Sequence, residues 1–143
     1  MIAEFLPPAN VFGDVAASGK VELLQVLSKR AAAVAKLPAD AVAKAILKRE
    51  GLGSTGTGEG IAIPHARFAE LKKPLGLLAR LRKAIDFDAI DGKPVDIVFL
   101  LLLPDADPLN VLADVARRLR NPETVNSIRR ADESTQMYRA IVG

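Results

Sequence analysis

His65 is the only histidine of the 143-residue chain, and it lies in the segment GLGSTGTGEGIAIPHARF, Gly51 to Phe68, which holds five of the ten glycines. A neutral imidazole is nucleophilic near pH 7, and a hydrogen bond to one ring nitrogen selects which of the two is free to react. Glycines permit left-handed turns and let backbone N–H groups converge on an anion. Ser54, Thr55 and Thr57 add hydroxyl donors to the same loop. Arg49, just upstream, offers a planar fork suited to phosphate oxygens. Together these groups suit an imidazole that carries a phosphoryl group. Such transfer asks mainly for in-line positioning and for stabilisation of charge. The group itself brings about −1.5 to −2 charges, so its donors must be in place beforehand.

Other chemistries compete for the same residues. His65 read alone is equally a buried or capping histidine beside a flexible loop. A metal site lacks further ligands, since no other histidine and no cysteine exist. A hydrolase triad recruiting Ser54 and Asp86 lacks a G-x-S-x-G elbow. GLGSTG matches G-x-G-x-x-G in form, but a dinucleotide loop follows a strand and opens a helix, whereas here a helix precedes and a strand follows. No phosphate-binding G-x-x-x-x-G-K-[ST] occurs either. The expectation is therefore no metal and no cofactor.

The elements that must position His65 are legible in outline. Val21 to Leu37 has helical apolar spacing, and Pro38 is expected at the first position of a second helix that ends against Gly51. GIAIPH reads as a short strand, with Ile61 and Ile63 anchored in the core, Pro64 keeping Ile63 extended and His65 at the strand end. Leu75 to Leu81 reads as another strand, and AIDFDAIDGKP as an edge segment and turn. VDIVFLLLLP is apolar enough for a central strand covered on both faces. Asp107 with Pro108, and Asn121 with Pro122, should each begin a helix, and Asp132 should cap a last one. The fold expected is α/β: a small mixed sheet flanked by helices on both faces, in one domain spanning residues 1–143.

Composition narrows the function classes. Twenty basic and seventeen acidic residues leave a net charge of +3, and only 4% of residues are aromatic. Although Arg117, Arg118, Arg120, Arg129, Arg130 and Arg139 gather late in the chain, little is available to stack bases, so nucleic acid is not expected as a partner. The longest apolar run, Ile97 to Leu103, is too short to span a bilayer. Without cysteine there is no disulfide framework, and Glu4 in a start lacking basic residues argues against a secretory signal. A cytoplasmic protein that is not inserted in the membrane is expected.

ILKREGLGSTGTGEGIAIPHAR followed by AIDFDAIDGKPVDIVFLLLLP resembles the enzyme IIA domains of the fructose–mannitol class of the bacterial phosphotransferase system, and within that class the nitrogen-regulatory form. The resemblance implies an α/β fold and a histidine, here His65, that accepts a phosphoryl group from a phosphohistidine carrier of the HPr type. It implies that Arg49 helps to hold that group and that Ser54 and Thr55 are the polar pair of the adjoining loop. Partners would be regulated target proteins, bound according to phosphorylation state, or a separate enzyme IIB. The family pattern usually adds a second histidine at the start of the helix after the central strand. Pro108 stands at that place, with Asp107 and Asn110 as the nearby groups able to supply a hydrogen bond. The alternative is a IIA-like interaction module that has lost efficient phosphotransfer.

Overall fold

The computed structural model describes residues 1–106 and 110–143. Its centre is strand β6 (Val95–Pro104), in which every side chain from Ile97 to Leu103 is fully buried. A strand reads as an unbroken apolar run when both of its faces are covered, and here they are. β5 (Leu75–Ile85) lies antiparallel to β6, and β1 (Val11–Val15) lies parallel to β5 at the edge. On the other side of β6, β3 (Ile61–Ala62) and then β4 (His65–Phe68) both pair with it in parallel. β2 (Gly56–Gly58) closes the sheet antiparallel to β3.

Alternation along the strands divides the core into two layers. Ala62, Ala66, Leu77, Ala79, Val98, Leu100 and Leu102 face α1 (Lys20–Ala35) and α2 (Ala39–Gly51), meeting Leu24, Leu27, Val42 and Ile46. Ile61, Ile63, Leu78, Ile97, Phe99 and Leu101 face the opposite layer. That layer is built by α3 (Val111–Leu119), α4 (Pro122–Arg130) and α5 (Ser134–Val142), together with Phe5 and Leu6 from the N-terminal turns. The expected mixed sheet with helices on both faces is the observed fold.

Local details differ from expectation in instructive ways. Pro38 caps α2 from an extended conformation rather than opening it, and Gly51 is the last helical residue rather than the one beyond. The GIAIPH strand divides at Ile63 and Pro64, so that His65 begins β4 instead of ending one longer strand. α4 begins as expected: Asn121 accepts the Glu123 N–H at 2.9 Å, with Pro122 at the first turn. α5 is capped at Glu133 and not at Asp132; the Gln136 side chain accepts the backbone N–H groups of both residues, at 2.6 Å and 3.1 Å. Asp107 and Pro108 lie outside the described residues, and Asn110 precedes α3 with a left-handed φ of 56°.

Candidate functional site

His65 is half-buried where β4 departs from the chain crossover at Pro64, paired in register with Leu101 of β6. Its Nδ1 lies 2.9 Å from the carbonyl oxygen of Ile63. A carbonyl only accepts, so Nδ1 carries the proton of the neutral ring and Nε2 keeps its lone pair. Burial pushes the imidazole pKa below its ordinary 6.5, against the upward pull of the Ile63 carbonyl; Arg49 and Arg67 press it lower and Glu50 raises it. The ring therefore stays neutral, with Nε2 as the available nucleophile, into mildly acidic solution.

Arg49 sits in the last turn of α2, where its Nη1 donates to Gly53 O at 2.9 Å. Among the described residues no carboxylate comes within ion-pairing distance of it, and its charge presses the imidazole pKa lower. Arg67 was not anticipated from the sequence. Two positions beyond His65 on β4, it projects from the same strand face, opposite to Ala66 and Phe68, which pack beneath α1 and α2. Its Nη1 donates to the carbonyl oxygens of Pro104 and Asp105 at 3.2 Å and 3.4 Å. The two-residue period of a strand was the signal that could have found it.

The glycine-rich loop does something other than leave donors open. Thr55 N–H and Thr55 Oγ1 donate to the two oxygens of the Glu50 carboxylate, at 2.7 Å and 2.6 Å. Glu50 is buried, its side chain only 3% exposed, and Lys20 Nζ pairs with it at 3.1 Å. Ser54 Oγ donates to Phe87 O at 2.8 Å and accepts the Gly56 N–H at 3.0 Å. The hydroxyl protons of Ser54 and Thr55, read from the sequence as donors to a phosphoryl group, are thus directed into the protein. The anion that the loop embraces is its own Glu50. Gly56 is required at the loop's end: a Cβ there would lie 2.7 Å from the Ala89 Cβ, in the connection between β5 and β6.

Thr57 is in a different place from the other two hydroxyls. Its Oγ1 reaches Ile61 O at 3.4 Å, and it lines a cavity of about 670 Å³ with Ile61, Leu119, Arg120, Val125 and Arg129. His65 is not part of that cavity's wall. Of the sequence-predicted residues, the structure gathers His65, Arg49, Ser54 and Thr55 around one loop, and leaves Thr57 on the adjoining hairpin. Asn110 is exposed ahead of α3.

The site thus combines a half-buried imidazole, two arginines whose charges act on it and a braced glycine loop. The chain belongs to the family described as phosphoenolpyruvate-dependent sugar phosphotransferase system, EIIA 2, whose pattern matches residues 4–142. Within that family it is similar to nitrogen regulatory proteins. The one from Bradyrhizobium diazoefficiens is 39% identical over 140 residues, covering 96% of this chain and 92% of the relative. The crystal structure of nitrogen regulatory protein IIA-Ntr from Neisseria meningitidis matches with a TM-score of 0.92 at 31% identity, over 98% of each chain. The fold extends to the mannitol enzyme IIA of Escherichia coli, solved in complex with phosphorylated mannitol enzyme IIB, with a TM-score of 0.79 at 16% identity over 94% of this chain and 96% of that one. Among the described residues no helix is long and apolar enough to cross a membrane.

Proposed function

We propose that this protein is a cytoplasmic regulatory phosphocarrier of the enzyme IIA type, in which Nε2 of His65 accepts a phosphoryl group from an HPr-type phosphohistidine protein. In that step the donor's P–N bond breaks as a new P–Nε2 bond forms. The donor imidazole recovers its lone pair, and the His65 proton stays on Nδ1, hydrogen-bonded to the Ile63 carbonyl oxygen. The observation that carries the reading is the 2.9 Å contact between His65 Nδ1 and Ile63 O, which leaves the second nitrogen with its lone pair for in-line attack. Arg49 and Arg67 are the cations disposed to meet the charge that arrives. Residues 1–143 act as one such domain, and regulated proteins, or a separate enzyme IIB as with the mannitol enzyme IIA, would read the phosphorylation state.

The deciding experiment is intact-mass spectrometry at neutral pH after incubation with phosphoenolpyruvate, enzyme I and an HPr-type carrier. The expected result is one acid-labile phosphoryl adduct that disappears in His65→Ala and when the carrier is omitted. An adduct that survives in His65→Ala refutes the assignment. A second reading, an interaction module without efficient phosphotransfer, draws on the absence of any second histidine. Partner capture that is indifferent to phosphorylation would favour it.

A further inference from the structure

Five contacts run without a break from the first residue of α1 to the imidazole. Lys20 Nζ meets Glu50 Oε1 at 3.1 Å. The two Glu50 oxygens receive Thr55 N–H and Oγ1–H at 2.7 Å and 2.6 Å. Thr55 O accepts the Ile63 N–H at 3.1 Å. Ile63 O in turn meets His65 Nδ1 at 2.9 Å. Thr55 and Ile63 therefore each have the N–H engaged on one side and the C=O on the other.

Burial marks the Lys20–Glu50 pair as more than a surface ion pair. The Glu50 side chain is 3% exposed and that of Lys20 18%, and the Lys20 ammonium also sits 4.7 Å from the centre of the Phe87 ring. Phe87 supplies the carbonyl that fixes Ser54. The loop is thus held at Thr55 by Glu50 and at Ser54 by the Phe87 carbonyl. A buried charged pair is a poor way to add stability, because desolvation opposes the attraction, so specificity of geometry is the better reason for its presence.

We propose that Glu50, clamped by Lys20, is a positioning residue for His65: it holds the Thr55 and Ile63 peptides so that Ile63 O fixes the Nδ1–H tautomer and its own negative charge offsets the cations around the ring. This rests on the phosphocarrier reading for its purpose, but its test does not. Among the described residues the charged groups that act on the imidazole are Arg49 at the end of α2, Arg67 on β4 and Glu50 itself, and Glu50 is the one anion among these.

Because the chain has a single histidine, one imidazole resonance reports the outcome directly. The experiment compares the parent, Glu50→Gln, Thr55→Val and Thr55→Ser by nitrogen NMR of the ring over a pH series, with circular dichroism as the fold control. Glu50→Gln should lower the pH at which the ring titrates and shift its shielding away from a pure Nδ1–H tautomer. Thr55→Val should mix the tautomers too, and Thr55→Ser should restore the parent pattern. Phosphoryl uptake from the HPr-type carrier should fall by roughly tenfold or more in Glu50→Gln, the scale expected when a reacting group loses its alignment. Folded Glu50→Gln and Thr55→Val proteins whose ring titrates and shifts as in the parent would overturn the proposal. Should Glu50→Gln not fold, Thr55→Val against Thr55→Ser decides it. Altered ring behaviour in a series where even the parent takes up no phosphoryl group would sustain the positioning role and refute the phosphocarrier reading instead.

Discussion

Arg49→Ala should separate stability from chemistry. In the folded protein the Arg49 side chain makes one hydrogen bond among the described residues, from Nη1 to Gly53 O at 2.9 Å, in an exposed setting. Such a bond contributes about 0.5–1.5 kcal/mol net, and an exposed one lies at the low end. Alanine also gains a little helix propensity in the last turn of α2. The variant should therefore melt within roughly 2–4 °C of the parent, the shift expected for about 1 kcal/mol in a domain near this size. The effect on transfer should be far larger. A preorganised charged donor aimed at developing charge is worth about 10²–10³ in rate, or roughly 2.7–4 kcal/mol. Arg49→Lys should fall between, since it keeps the charge and loses the planar fork. Rapid-quench measurement of phosphoryl uptake, paired with thermal denaturation, reads both quantities. If Arg49→Ala takes up the group at the parental rate, the assignment of Arg49 is wrong. If it is slow and also melts far below the parent, the loss is one of folding and the reasoning fails in the other direction.

Two further outcomes follow from the same geometry. The native His65 pKa lies below 6.5, first because burial disfavours the charged ring, so between the two values the unfolded chain binds a proton that the folded protein does not. Stability from this source is complete above 6.5 and declines as pH falls through the native pKa, so the urea midpoint of the parent should drop relative to His65→Gln on acidification below 6.5; parallel profiles would contradict this. Gly60→Ala should be the costlier of two glycine substitutions. At φ 82° its Cβ would stand 2.5 Å from Arg129 Nη2 and 2.9 Å from Asp96 Oδ1, breaking the clamp by which Arg129 holds Asp96 and Glu59 O. A loss of roughly 1–3 kcal/mol is expected. Gly92→Ala, at φ 72° with open space around it, should lose only the backbone term of about 1 kcal/mol, and calorimetry that ranked them the other way would refute the steric argument.

What the sequence disclosed depended on whether a residue's partners were near it in the chain. β6 was legible because burial on both faces leaves a continuous apolar run, and α4 because Asn121 and Pro122 carry their own start signal. β1 was not, since VFGDV contains a glycine and an aspartate and becomes a strand only by pairing with Leu78, Ala79 and Leu81 far along the chain. At α5 the choice between Asp132 and Glu133 as cap turned on where the Gln136 side chain points, which only the folded turn fixes. Glu50 illustrates the hardest case. A glutamate following Arg49 near a helix end reads as solvated, and nothing local says that Lys20, thirty positions earlier, will lie against it.

The glycines before His65 take on a different meaning once the loop's donors are followed to their acceptors. A cradle for a phosphoryl group would leave backbone and hydroxyl protons pointing at a common empty point. Instead those of Thr55 converge on the Glu50 carboxylate, while Ser54 turns to Phe87. The flexibility of glycine is used to fold the loop tightly around an internal anion and against Ala89. On the phosphocarrier reading, the incoming charge must then be met by side chains with cations still in reach, which are Arg49 and Arg67. The same logic shows how one histidine can suffice for orientation. A backbone carbonyl cannot release or exchange a proton as a second imidazole can, so Ile63 O imposes a single tautomer wherever the ring is neutral. On that reading orientation would come from the backbone and charge compensation from the two arginines, with the proposed Lys20–Glu50 clamp holding the backbone to that task.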